Sequence, residues 1–314
     1  MVLNIARRVA TALAMLVIVS FIVFGLSELA PGDPAASIAG PDATPQLVEK
    51  IRQENGLDRP FLSRYVLWAN HAVRGDLGKS LHTRESISAI VGRALPVSMS
   101  LVGLSLLWSS ILALIGGSLC ARYPGSWIDR LVSFFSAFAV GLPSFCLALI
   151  LASEFAVKRR WFPASGFTGP TSSLWLWLKG MVLPVVTLSG VLAAELTRQL
   201  RGSLMDALNS DYVLTARAGG IRPGKVIYKH ALKNALIPVV TVFGLRFAQL
   251  VGGTAIIETM FNFQGLGSLA VRAAIGRDGP VLLGLAVFTT LAVQVINLLI
   301  DASQRYFNPK VRAN

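Results

Sequence analysis

Asp211 to Pro238 reads DYVLTARAGGIRPGKVIYKHALKNALIP, a basic, glycine-punctuated stretch between two long apolar runs. Arg217, Arg222, Lys225, Lys229 and Lys233 give it more charge than the interior of a bilayer tolerates. Yet Val226, Ile227 and Ala231 fall at helical spacing before the apolar run resumes at Ala235. The pattern predicts two short helices joined by a bend. Ala216 and Ala218 are small enough for another surface to come close. Gly219 and Gly220 suit a sharp turn, and Pro223 suits the first turn of the second helix, where its missing N–H costs nothing. A structured, positively charged loop at a membrane surface suggests a docking element, the alternative being a surface loop with ordinary positive-inside charge.

The surroundings of the loop are apolar. Hydrophobic residues make up 54% of 314 positions, charged residues 14%, and the mean hydropathy is +0.62. Soluble domains carry about 25% charged residues, so this composition is that of an integral membrane protein. The net charge of +13 sits mainly in short segments between apolar runs. A positive-inside bias explains that distribution better than nucleic-acid binding does. Two cysteines and three histidines do not make a disulfide scaffold or a zinc site of ordinary spacing.

Six apolar runs are long enough to span: 9–27, 95–119, 131–157, 181–200, 235–257 and 281–300. Each holds about 20 residues, which crosses a hydrocarbon core as a helix. The first follows Arg7 and Arg8 and carries no A-x-A cleavage pattern, so an uncleaved anchor is expected. Between the first and second runs the chain turns polar and proline-rich, with short amphipathic helices expected near 45–55 and 61–73. Lys and Arg cluster in the segments that an inside N-terminus would place in the cytoplasm, although Lys158, Arg159 and Arg160 run against this. The reading is an all-α membrane protein with six transmembrane helices and both termini inside. Its expected parts are a tail at 1–8, a first helix at 9–28, an extracytoplasmic insert at 29–94, a five-helix core at 95–305 and a tail at 306–314. The opening stretch then lies in the largest cytoplasmic loop, 206–234.

Leu214-Thr215-Ala216, then Gly220, then His230-Ala231-Leu232 resemble the cytoplasmic "EAA" loop of ABC importer permeases. Leu214 stands where that pattern has an acid, Thr215 replaces its first Ala, His230 its Ile and Lys233 its final Pro. These departures resemble the peptide/nickel branch of the family. Leu29-Ala-Pro-Gly-Asp-Pro-Ala35, Gly56-Leu-Asp-Arg-Pro60, Gly75-Asp-Leu-Gly-Lys-Ser80 and Ile257-Glu-Thr-Met-Phe-Asn-Phe-Gln-Gly-Leu-Gly267 are similar to further elements of that branch, in the same order. The resemblance implies a type I ABC importer permease fold whose coupling loop seats in an ATPase subunit. The residues it assigns to that loop are Leu214, Thr215, Ala216, Arg217, Ala218, Gly219, Gly220, His230 and Leu232. It further implies two ABC ATPase subunits carrying ATP and Mg2+, a paralogous second permease and an extracytoplasmic binding protein delivering peptides or nickel chelates. No cofactor is expected on this chain, and the bacterial inner membrane is its expected place.

The other motifs are consistent with this. Gly75–Ser80 mimics a phosphate loop, but the spacing is two residues short, and no Walker motif occurs elsewhere. ATP-driven work therefore falls to a partner. Neither H-E-x-x-H nor G-x-S-x-G is present, which disfavours an intramembrane enzyme. An ion-coupled secondary transporter would need carboxylates at mid-membrane and an inverted repeat, and neither is evident. Charged residues within spans are functional candidates, which singles out Arg246 with Gln249 one turn on, and Glu195. Arg246, Gln249 and Glu195 are candidates for lining a translocation path, the alternative for Arg246 being a hydrogen bond inside the bundle to Gln294 or Asn297. Glu195 is expected to pair with Arg198 three residues on, and Pro143 to kink the third span.

Overall fold

The computed structural model describes residues 2–29, 33–40, 43–54 and 56–307. Positions 30–32 of the LAPGDPA stretch and 308–314 of the expected C-terminal tail lie outside the described residues, as do 1, 41, 42 and 55. Two compact units divide the chain, Met1–Pro96 with Gln264–Gln294, and Val97–Phe263 with Val295–Asn314.

In the first unit, α1 (Val2–Leu29) is a long apolar helix, and the polar segment after it folds as α2 (Pro34–Ala39), α3 (Pro45–Glu54) and α4 (Phe61–Val73). Asp33 caps α2, accepting from Ala35 N at 2.9 Å, and receives Arg52 of α3 at 2.6 Å. The segment is not a free-standing domain. Phe61 and Tyr65 of α4 stack against Phe21 and Phe24 of α1 with ring centroids 5.2–5.6 Å apart. Arg64 closes a two-pronged ion pair on Glu28 at 2.8 and 2.7 Å.

α5 (Ile87–Arg122) opens in this unit and continues through the second. α6 (Trp127–Gly141) and α7 (Ser144–Leu151, extended by a π-helical stretch at Ala152–Lys158) occupy the expected third span. They are not one rod: the two halves meet at 101°. Pro143 disfavours a helical residue before it, and Leu142 is extended (φ −91°, ψ 120°). The expected kink is therefore a complete break. Beyond it, Lys158 and Arg159 both turn back onto Glu154 at 3.1 and 3.0 Å, so that one carboxylate offsets one of the three charges that oppose the positive-inside count.

α8 (Leu174–Leu208), α9 (Asp211–Ala218), α10 (Pro223–Lys225, running into a π-helical Val226–Ala231), α11 (Leu232–Gly253) and α12 (Ala255–Met260) complete the second unit's main body. α13 (Leu266–Ile275) and the start of α14 (Gly279–Phe307) return to the first. Among the described residues five helices are long and apolar enough to cross a membrane, six if the bent pair counts as one. α8 is the hub of the second unit. Its residues from Met181 to Leu208 enter three apolar clusters, against α7 and α12, against α5 and α11, and against the loop that follows it. Exposed Leu, Ile, Val and Phe side chains cover the outer faces of α1, α5 and α6, as lipid contact requires.

Candidate functional site

The loop after α8 is a folded object with a buried side and an open side. Val213 of α9 is fully buried and packs with Leu200, Leu204 and Leu208 of α8 and with Val226, Ile227, Ala231 and Ala235 beyond the bend. The two segments share that cluster because the second is π-helical, and a wider turn brings Val226 and Ala231, five residues apart, to one side. The rest of α9 faces outward. Leu214 is 52% exposed, and Thr215, Arg217, Ala218, Gly219 and Gly220 are exposed with it, Ala216 being half-buried. Among these loop residues His230 and Leu232 belong elsewhere: both are half-buried on the return segment, Leu232 against the apolar cluster.

A Schellman closure ends α9. Gly220 N donates to Arg217 O at 3.0 Å and Ile221 N to Ala216 O at 3.2 Å. Gly220 takes φ +76°, the left-handed region, whereas Gly219 stays at φ −75°. The sequence suggested a shared turn, but only the second glycine needs its freedom.

Arg246 and Glu195, 51 residues apart, meet between α11 and α8. Arg246 Nη2 donates to Glu195 Oε1 at 2.8 Å, Nη1 donates to Gln249 Oε1 at 2.5 Å, and Nε lies 2.6 Å from Glu195 Oε2. The expected Glu195–Arg198 pair does not form: its two residues share a helix, but Arg198 is exposed and Glu195 turns to α11 instead. A carboxylate among apolar neighbours is stabilised more by a guanidinium at contact than by water-exposed charge on its own helix. Beside the pair is a cavity of about 120 Å3 lined by Leu188, Val191, Leu192 and Leu250 as well as the three polar residues.

Two further polar clusters escaped the sequence reading. Asp129, at the start of α6, is nearly fully buried and receives Arg201 of α8 at 2.7 and 2.8 Å, together with Gly125 N at 2.9 Å. Glu258 of α12 is 0% exposed and accepts from Ser98 Oγ at 2.6 Å and Thr254 Oγ1 at 2.8 Å. Glu258 was hidden because ETMF reads as the end of a span, and its partner Ser98 is 160 residues away. The phosphate-loop mimic is structural: Ser80 Oγ donates to buried Asp278 at 2.5 Å, and Leu81 N donates to the same carboxylate at 3.2 Å. Among the described residues no group of three His, Cys, Asp or Glu side chains is placed to hold a metal.

Long apolar helices, a bent helix pair and a basic loop held by its own apolar seam mark a multi-pass membrane protein, and comparison with known proteins gives its family. Residues 113–313 match the binding-protein-dependent transport system inner membrane component, and residues 1–102 match the N-terminal part of the same kind of protein. The chain belongs to that family. It is 38% identical over 98% of both chains to a probable peptide ABC transporter permease protein of Sinorhizobium fredii. It is 35% identical, again over 98% of both, to the glutathione transport system permease protein of Escherichia coli. In structure it resembles a chain of the MetNI methionine ABC transporter in an inward-facing conformation, with a TM-score of 0.57, 19% identity, and coverage of 70% of this chain and 96% of that one. The chain is thus an all-α, multi-pass ABC importer permease subunit and not an enzyme, with ATP hydrolysis on separate subunits.

Proposed function

We propose that this chain is one of two permeases of a bacterial inner-membrane importer that carries peptides delivered by an extracytoplasmic binding protein. The observation that carries this is the match to peptide permeases along 98% of the chain, with the coupling loop and the ion pair both inside the matched length. The second permease is taken to be a paralogue, and two ABC ATPases with ATP and Mg2+ complete the machine. Both termini lie in the cytoplasm in this reading, and the insert at 29–94 faces the binding protein.

Leu214 to Gly220 would seat in the ATPase cleft. The open face of α9 supports this, as does the Val213 seam, which ties α9 to the end of α8 so that a push on one moves the other. His230 and Leu232 act behind that face, holding the return segment. Arg246, Gln249 and Glu195 line the path. The buried Glu258 is the feature closest to what an ion-coupled carrier would show, but its hydroxyl partners and the family both favour a structural role.

Proteoliposomes containing both permeases and both ATPases, given the binding protein and a mixture of di- to pentapeptides, test the proposal. ATP-dependent accumulation, read by mass spectrometry of the lumen, is expected. Uptake that needs no ATP and collapses with a proton ionophore would assign the chain to secondary transport.

A further inference from the structure

We infer that the Glu195–Arg246 pair is an exchange site for the two charges of a zwitterionic solute, which deepens the path reading above and rests on it. Three features converge on it. The pair borders a cavity of about 120 Å3 whose lining is otherwise aliphatic apart from Gln249. Arg246 is 38% exposed at its side chain and Glu195 18%, so the guanidinium is the more accessible partner and the carboxylate the deeper one. Glu195 Oε2 is buried and lies 2.6 Å from Arg246 Nε, while Oε1 accepts from Nη2 at 2.8 Å, so the guanidinium meets the carboxylate side-on. Each carboxylate oxygen has a second lone pair that a further donor can use.

Such a pair selects by charge count. An anion alone can take Arg246 only by leaving Glu195 uncompensated, and a cation alone does the reverse. Either way an unpaired charge remains among apolar side chains, which is strongly disfavoured. A solute carrying both charges satisfies both residues at once. Its ammonium goes to Glu195 Oε2 and Oε1, and its carboxylate goes to the Arg246 fork, which suits a carboxylate's planar geometry. When the solute leaves, the two residues close on each other again. An empty path is thereby sealed without any residue being left unpaired. Gln249 holds the third arm of Arg246 during the exchange, through Nη1. The ligand class is a short peptide or amino acid with both termini free.

Thiol protection in the complete transporter tests this. Val191→Cys places a reporter in the cavity wall outside the pair, in a chain carrying Cys120→Ala and Cys146→Ala. Its rate of reaction with N-ethylmaleimide is followed with dialanine, N-acetyl-dialanine, dialaninamide or N-acetyl-dialaninamide added. Dialanine at ten times its dissociation constant is expected to slow labelling about tenfold. The three blocked forms are expected to leave it unchanged, and Glu195→Gln with Arg246→Gln is expected to abolish the protection. Equal protection by a singly charged form, no protection by dialanine, or protection that survives the double substitution overturns the exchange site. A thiol that reacts in neither the nucleotide-free nor the ATP-bound transporter overturns the path reading itself, a distinct result.

Discussion

Two ion pairs hang on α8, and they are built for opposite purposes. Asp129–Arg201 is sealed. Its carboxylate is 6% exposed, takes both prongs of the guanidinium, and has a backbone donor from Gly125. Just beyond it, the Val213 seam fixes the loop to the last turns of α8. Glu195–Arg246 is more open: it borders a cavity, and its carboxylate is 18% exposed. In the proposed function the sealed pair and seam make a rigid transmitter. The open pair, less than two turns back along the same helix, makes an adjustable contact. The same chemistry serves as a brace in one place and, in the proposed reading, as a latch in the other; what separates them is how deeply the carboxylate is buried and whether a cavity adjoins it.

The sealed pair gives the largest expected effect. Asp129→Ala leaves Arg201 without its carboxylate and should cost about 3 kcal/mol, at the lower end for a broken buried pair because Arg201 is one-third exposed. Thermal unfolding of the purified transporter measures it, and a loss near zero would mean the brace is not one. Val213→Ala comes next at about 2 kcal/mol, from two methyl groups removed from a filled seam. It should lower peptide-stimulated ATP hydrolysis along with the melting temperature.

Gly220→Val follows at about 1–2 kcal/mol, because a β-branched residue is strained at φ +76°. Nothing lies within 4 Å of the position its Cβ would take, so crowding is not the cause. Transport should be uncoupled from ATP hydrolysis while membrane insertion is unaffected. Gly219→Ala, at an ordinary φ, is the matched control and should couple normally. Normal coupling in Gly220→Val would remove the bend from the mechanism.

The smallest stability effect belongs to the open pair. Glu195→Gln with Arg246→Gln removes both charges together and should change stability by less than about 1 kcal/mol. Peptide uptake should nevertheless fall. If this double variant unfolds as readily as Asp129→Ala, the contrast between brace and latch is gone.

The helical class, the positions of the long apolar helices and the two-helix form of the loop were all legible in residue order, because a span needs about 20 apolar residues and a bend needs Gly and Pro. Arg246 stood out as a charge in an apolar run. Its partner did not. Nearness in sequence favoured Glu195–Arg198, and apolar packing of α8 against α11 chose Glu195–Arg246. Asp129 and Glu258 were passed over for the same reason, since each is defined by a partner 72 or 160 residues distant. Pro143 was visible, but the size of the break was not, because a proline disfavours helix without fixing the angle that follows.

By itself, the sequence determined that this chain crosses a membrane as helices and carries a basic, glycine-bent loop between two spans. Composition and local spacing are sufficient for both, as each depends on residues within one or two turns. Tertiary structure alone decided which face of α9 is open, which glycine takes the left-handed conformation, and which carboxylate each guanidinium meets. Those outcomes depend on burial, and burial exists only once distant segments have packed together.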